Sequence, residues 1–177
     1  MSRRAVQISV IGSSEGGEPE LLEKAEEVGR GIAEAGATLV CGGMTGVMEA
    51  ASRGASEAGG TVIGILPTLA PADANVHVTH AVATGIGHAR NLAVVASGDA
   101  VIAVGGEWGT LSEIGFARKL GRTVVAIESW PLRDRAGTDL GIAEAETAAA
   151  AVKAAVSGAV TEESSSARTQ AADDTLD

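Results

Sequence analysis

The stretch that decides the fold is Ala100–Glu113, which reads Ala-Val-Ile-Ala-Val-Gly-Gly-Glu-Trp-Gly-Thr-Leu-Ser-Glu. Its first part, Ala100–Val104, is a short continuous apolar run of the kind found in strands buried on both faces of a parallel sheet. The glycine-containing loop Gly105–Thr110 ends that run, and a helical pattern covers Thr110–Leu120. A strand, a loop and a helix in this order predict one βα unit of an α/β sheet.

The same unit recurs along the chain, because short apolar runs alternate with longer amphipathic stretches. The predicted strands are Ala5–Ile11, Thr38–Cys41, Thr61–Leu66, a short one within Val76–Val82, Ala100–Val104 and Thr123–Ile127. The predicted helices are Glu20–Ala35, Thr45–Ala58, Ile86–Ser97, Thr110–Leu120 and Leu140–Val156. This order predicts a single α/β domain, a three-layer, doubly wound parallel sheet of the Rossmann-like type.

The length of 177 residues fits one domain with a short tail. A hydrophobic content of 45% excludes a disordered chain, and no apolar run approaches the ~18–20 residues that span a bilayer. Residues 158–177 have no apolar period and carry five acids and one arginine. We therefore expect a folded domain over residues 1–157 and an acidic, disordered tail over residues 158–177.

The charge and cysteine content exclude several classes of function. Thirteen basic and 23 acidic residues give a net charge of −10, which repels polyanions, so nucleic acid is not an expected partner. Cys41 is the only cysteine, which excludes an intramolecular disulfide and a cysteine-cluster metal site. No metal site is expected from the histidines either. Without a secretory signal pattern or a membrane span, the expected location is the cytoplasm.

Three glycine-containing loops follow predicted strands, at Gly12–Gly17, Gly42–Gly46 and Gly105–Thr110. The carboxyl ends of parallel strands meet at one edge of a sheet, where ligands of doubly wound folds bind. Backbone N–H groups in such loops, together with helix N-termini, favour an anion. The pattern predicts a ligand that carries phosphate. Neither G-x-G-x-x-G nor the P-loop motif is present, which disfavours ordinary dinucleotide binding and ATPase activity.

Three segments in order, Cys41–Glu49, His88–Asn91 and Gly105–Glu113, resemble successive signatures of the LOG-like superfamily. The resemblance covers roughly Val6–Ile127. This superfamily includes cytokinin riboside 5′-monophosphate phosphoribohydrolases and molybdenum cofactor carrier proteins, and its members are often mislabelled lysine decarboxylases. The resemblance implies a small phosphorylated nucleotide or pterin as ligand, and a homodimer or higher homo-oligomer.

The resemblance also assigns roles to residues. Arg90 and Glu113 match the catalytic arginine and glutamate of the family, while Gly106, Gly109 and Thr110 match its phosphate loop. A carboxylate stabilises positive charge on a ribose, and a guanidinium binds a phosphate or a departing base. The full set of expected ligand-binding residues is Gly12, Ser13, Gly42, Gly43, Gly46, Asn91, Gly105, Gly106, Gly109 and Thr110.

Three positions depart from the phosphoribohydrolase pattern. Gly105 replaces a proline, Glu107 replaces a glycine in the phosphate loop, and Asn91 stands where those enzymes commonly have lysine. The leading hypothesis is hydrolysis of a purine nucleoside 5′-monophosphate to free base and ribose 5-phosphate, with no cofactor required. The alternatives are a non-catalytic carrier of the molybdenum cofactor, a pterin, and a nucleotide-sensing protein.

Overall fold

A parallel sheet forms the centre of the molecule, with strands in the order β4-β3-β2-β1-β5-β6-β7. The structure is a computed structural model that describes residues 4–14 and 17–173, with side chains of the last helix as far as Thr161. Within these residues the strands are β1 Gln7–Gly12, β2 Thr38–Cys41, β3 Val62–Leu66, β4 His80–Ala83, β5 Ala100–Val104, β6 Thr123–Ile127 and β7 Ala143–Glu144. The helices are α1 Pro19–Glu34, α2 Val47–Glu57, α3 Arg90–Ser97, α4 Trp108–Lys119 and α5 Ala148–Asp173. Short 3₁₀ turns cover Pro71–Asp73 and Gly87–Ala89.

The sheet is buried on both faces. Helices α1, α2 and α5 cover one face, and α3 and α4 cover the other. Every residue of β5 is buried, as its continuous apolar sequence predicts. Strands β1 to β4 lie side by side in the order in which they occur in the chain. The chain then crosses back, and β5 pairs with the other side of β1. The crevice at the carboxyl ends of β1 and β5 is therefore the topological switch point, where doubly wound folds bind ligands.

Helices α1 and α2 touch through glycines. A Cβ atom built on Gly29 would lie 1.9 Å from the carbonyl oxygen of Ala51, and one on Gly54 would lie 1.9 Å from that of Glu26. Any larger residue at either glycine would drive the two backbones apart. Arg53 of α2 also donates two hydrogen bonds to the Glu26 carboxylate of α1, at 2.9 and 2.6 Å.

The predicted fold class is confirmed, and strands β2, β5 and β6 have the predicted bounds. The strand expected within Val76–Val82 lies later, at His80–Ala83. The helix expected over Ile86–Ser97 is a 3₁₀ turn followed by α3. Apolar residues are spread over the whole of residues 76–83, so they do not mark where β4 begins, and β4 is an edge strand with exposed side chains. The segment before α3 contains Gly85 and Gly87, both with positive φ, which no helix pattern extends through.

The largest difference is the last helix. Residues 140–147 form a loop and strand β7, and α5 begins at Ala148 instead of Leu140. The backbone then stays helical to Asp173, beyond the expected end of this helix at Val156. A domain that ends at residue 157 and a disordered tail from residue 158 stay predictions. Alanine has the highest helix propensity, and Ala151, Ala155 and Ala159 are buried against the core. Residues 174–177 lie outside the described part of the chain.

No helix in the described part of the chain is long and apolar enough to cross a membrane.

Candidate functional site

The first two glycine loops are joined to each other at the carboxyl edge of the sheet. The Val47 N–H donates to the Ser13 carbonyl at 3.0 Å, and the Thr45 hydroxyl donates to the Ser14 carbonyl at 2.7 Å. Gly46 has a φ of +68°, and a Cβ atom there would lie 2.4 Å from the Ser13 carbonyl oxygen. A glycine is needed at this position because both the backbone angle and the close approach exclude a side chain.

Arg90 begins helix α3, and its side chain lies against the second loop. A Cβ atom on Gly42 would lie 2.5 Å from both Nη atoms of Arg90 and from the sulfur of Met48, so the missing side chain makes room for the guanidinium. Arg90 is buried, and its Nε has no hydrogen-bond partner among the described residues. Burial lowers the pKa of Arg90, and the nearby Glu113 partly opposes this effect.

Glu113 lies one turn into α4 and is 5% exposed. Its Oε1 is 4.0 Å from Nη1 of Arg90. Burial raises the pKa of Glu113 to about 7, although the positive charge of Arg90 acts to lower it. A carboxyl group with this pKa exchanges a proton near neutral pH.

Arg90 and Glu113 line the same cavity. It has a volume of about 100 Å³, and Gly12, Gly42 and Asn91 lie in its wall. Five of the residues expected from the sequence to act at the site are therefore brought together around one cavity. Their roles in binding or catalysis stay predictions.

A second cavity of about 340 Å³ adjoins the first, and the two share Ser14, Met48, His88 and Arg90 in their walls. Sequence reasoning missed the first three of these: it interpreted Met48 as a core residue and His88 as a structural or surface residue. Their places in the sequence could have indicated a role at the site, because Met48 closely follows the second loop and His88 comes two residues before Arg90.

The third loop lies at the N-terminus of α4, and Glu107 is the N-cap residue of this helix. The Glu107 carboxylate accepts a hydrogen bond from the Thr110 backbone N–H, and the Glu107 N–H donates to the Thr110 hydroxyl at 3.4 Å. The Ser13 hydroxyl of the first loop donates to Oε1 of Glu107 at 2.8 Å. This reciprocal arrangement is a capping box. The chain's own carboxylate thus occupies donors that were expected to bind a ligand phosphate.

The remaining residues expected at the site lie outside the wall of the Arg90 cavity. These are Ser13, Gly43, Gly46, Gly105, Gly106, Gly109 and Thr110. Gly43 packs against β3, since a Cβ atom there would lie 2.7 Å from a methyl group of Leu66. Gly106 packs near Trp130, whose ring centroid is 5.5 Å from that of Trp108. Trp108 is 77% exposed and begins helix α4, two residues before the predicted start at Thr110.

In the described part of the chain, no group of three or more histidine, cysteine, aspartate or glutamate residues is arranged to hold a metal ion.

Comparison with known proteins identifies related chains. Residues 5–168 match the sequence model of the SLOG cluster4 family. An uncharacterized protein of Archaeoglobus fulgidus is 45% identical over 125 residues, which are 71% of this chain and 82% of that protein.

Two solved structures are similar at both the sequence and the fold level. The molybdenum cofactor binding protein of Rippkaea orientalis is 36% identical with a TM-score of 0.75, and the match covers 83% of this chain and 93% of that one. The molybdenum cofactor carrier protein of Chlamydomonas reinhardtii is 33% identical with a TM-score of 0.78, covering 88% and 98%. These comparisons confirm the resemblance to the LOG-like superfamily drawn from the sequence.

Proposed function

The chain belongs to the SLOG cluster4 family, and from that premise we propose that it binds the molybdenum cofactor, a phosphorylated pterin, and carries it without cleaving it. The observation that carries this proposal is the pair of adjoining cavities with Arg90 in the wall of both. The larger one, at about 340 Å³, falls within the ~300–1,000 Å³ typical of small-molecule sites.

The chemistry of the two cavities suits a flat ring that bears an anionic group. Met44 and Met48 line the larger cavity, and methionine sulfur makes favourable contacts with aromatic rings. Arg90 supplies a planar positive group whose Nε has no partner among the described residues, and a guanidinium forms strong hydrogen bonds with phosphate oxygens. Two similar proteins of known structure bind or carry the same cofactor.

The raised pKa of Glu113 is compatible with carriage. Breaking an N-glycosidic bond builds positive charge on the ribose, which an ionised carboxylate stabilises. With its pKa raised to about 7, the Glu113 carboxyl is not fully ionised at neutral pH. In a carrier the same group serves as a hydrogen-bond donor or acceptor for the ligand.

Hydrolysis of a nucleoside 5′-monophosphate is the second candidate, and the convergence of Arg90 and Glu113 on one cavity favours it. In that reaction water attacks C1′ of the ribose, the bond from C1′ to the base nitrogen breaks, and the base leaves with a proton. Ionised Glu113 would stabilise the charge on the ribose, and Arg90 would bind the phosphate or the departing base. The chain would need no cofactor for this reaction.

One experiment separates the two candidates. The protein is incubated with the molybdenum cofactor, and bound molybdenum and pterin are measured per chain. In parallel it is incubated with AMP and a cytokinin riboside 5′-monophosphate, and free base is measured. Arg90→Ala and Glu113→Gln are compared with Arg135→Ala, which removes an exposed arginine outside both cavities.

Cofactor binding that is lost in Arg90→Ala, kept in Arg135→Ala and accompanied by no release of base supports the carrier. Release of base that depends on both Arg90 and Glu113 overturns carriage and establishes the hydrolase. Neither binding nor release in the unmodified protein overturns both.

A further inference from the structure

Glu107 places a negative charge where the ligand's phosphate is expected. Its carboxylate accepts hydrogen bonds from the Thr110 N–H at the start of α4 and from the Ser13 hydroxyl. These donors point at an anion, and the N-terminus of α4 adds a favourable partial positive charge. A phosphate group at this edge would use the same donors, so it and the carboxylate compete for them.

Glu107 and the Arg90 cavity share the first loop. Gly12 and Ser14 lie in the wall of that cavity, and Ser13 between them is bonded to Glu107. The buried Arg90 guanidinium, whose Nε lacks a partner in the described part of the chain, marks the cavity as a place for an anionic ligand. A ligand held by Arg90 in this cavity therefore lies against the two residues that flank Ser13 in the chain.

We propose that Glu107 is a specificity-determining residue that acts as a tethered anion: it competes with the ligand's phosphate for Ser13 and the N-terminus of α4, and so limits affinity and favours release. The inference rests on the proposed function, because it concerns the phosphate of the same ligand. A carrier has to release its ligand. As the phosphate leaves, the Glu107 carboxylate bonds again to the Ser13 hydroxyl and to the N-terminus of α4. A phosphate that bonds to the Ser13 hydroxyl has to displace the Glu107 carboxylate from it, and the like charges of the two groups oppose this exchange.

The test compares Glu107→Gln with the unmodified protein by calorimetry. The probes are inorganic phosphate, neopterin monophosphate and neopterin, which lacks phosphate. Glutamine keeps the side-chain length and an oxygen that caps α4 but removes the charge. Glu34→Gln is the matched control, because it removes the same charge from an exposed site at the far end of α1.

We expect Glu107→Gln to bind inorganic phosphate and neopterin monophosphate about tenfold more tightly and to release the latter more slowly. Its affinity for neopterin should be unchanged, and Glu34→Gln should behave as the unmodified protein. Adding Ser13→Ala to Glu107→Gln should abolish most of the gain, because the phosphate then loses the hydroxyl donor. Thermal unfolding of each variant confirms that the binding differences are measured on folded protein.

Equal or weaker binding of both phosphate probes by Glu107→Gln, including no binding at all, overturns the proposal. A gain that is equally large for neopterin also overturns it, because the effect then does not act through phosphate. The proposed function can fail independently of this proposal. If the molybdenum cofactor does not bind but Glu107→Gln gains affinity for inorganic phosphate, the pterin ligand is wrong. The role of Glu107 is supported in that case.

Discussion

Arg90 Nη1 lies 4.0 Å from Glu113 Oε1, and the two side chains are only 10% and 7% exposed. That distance is longer than a hydrogen bond, which spans ~2.7–3.2 Å between heavy atoms. The two groups therefore attract each other while their hydrogen-bond donors and acceptors remain available to a ligand. The cavity in which such a ligand would lie is lined by the end of β1, by Gly42 after β2, and by α2, α3 and α4.

Glu113→Gln should remove a pH dependence from the stability of the protein. The Glu113 pKa is 4.5 in the unfolded chain and about 7 in the folded one, so below pH 4.5 both states hold the proton. As the pH rises from 4.5 to 7, the folded state keeps a proton that the unfolded state has released, and the free energy of unfolding falls. The loss totals about 3 kcal/mol and levels off above pH 7.

Urea unfolding between pH 4 and pH 8 measures this effect as the difference between the two proteins. Other carboxyl groups contribute equally to both curves, including Asp99, whose pKa Arg4 lowers with a hydrogen bond against the opposing effect of burial. Parallel curves across the whole range would show that the pKa of Glu113 is not raised.

Arg90→Met should raise the pKa of Glu113 above about 7. The positive charge of Arg90 opposes the effect of burial on Glu113, and an apolar methionine leaves that effect uncompensated. Carbon-13 NMR of the glutamate side-chain carboxyl groups follows the titration, and the Glu113 signal is assigned by its absence in Glu113→Gln. Arg135→Met should leave the titration unchanged. A lower Glu113 pKa in Arg90→Met would contradict the expected direction.

Gly42→Ala should displace the Arg90 guanidinium and weaken ligand binding at least tenfold. The added methyl carbon would lie 2.5 Å from both Nη atoms and from the Met48 sulfur. We expect a stability cost of about 1–3 kcal/mol, as for other overpacked sites. Binding of the molybdenum cofactor and thermal unfolding are the measurements.

Gly115→Ala is the control for this substitution. A Cβ atom at Gly115 meets nothing within 4 Å, and the residue lies inside α4, so alanine should stabilise the protein by about 1 kcal/mol and leave binding intact. Retention of full affinity in Gly42→Ala would show that Arg90 does not depend on the space at Gly42.

A chain that ends at Ser157 should be less stable than the full chain. This end point is the domain boundary expected from the sequence, but Ala159 is 2% exposed and packs in the core cluster with α1 and β6. Loss of its buried methyl group and of the following helical turn should lower the free energy of unfolding by about 1 kcal/mol or more. Chemical unfolding of both chains tests this, and equal stability would favour the boundary at residue 157.

The sheet could be predicted from the sequence because its strands are short apolar runs that stand out from their surroundings. Strands Thr38–Cys41, Ala100–Val104 and Thr123–Ile127 have the predicted bounds for this reason. Helix α5 was harder to predict, because its buried face is made of alanines such as Ala151 and Ala155. Alanine also stands at exposed positions of this helix, such as Ala149 and Ala150, so the alanines show no clear apolar period.

The neighbours Arg90, Asn91 and Glu113 could be predicted from motifs that resemble a known superfamily, and the structure places them around one cavity. The capping role of Glu107 could not be predicted from the sequence. A carboxylate in a glycine loop looks unfavourable for phosphate binding, but only the fold shows that Ser13, 94 positions away, donates to it. The need for a glycine at position 42 could not be predicted either, because it depends on where the side chain of Arg90 lies in the fold.

The glycine contacts between α1 and α2 have a consequence for how the site can respond to a ligand. Both helices begin just after loops of the ligand edge, and their backbones already touch at Gly29 and Gly54. Neither helix can move toward the other at these two points without a backbone collision, so we expect the spacing of α1 and α2 not to shorten when a ligand binds. Arg90 and Glu113 belong to α3 and α4 on the opposite face of the sheet, so a ligand can shift their side chains without disturbing this contact.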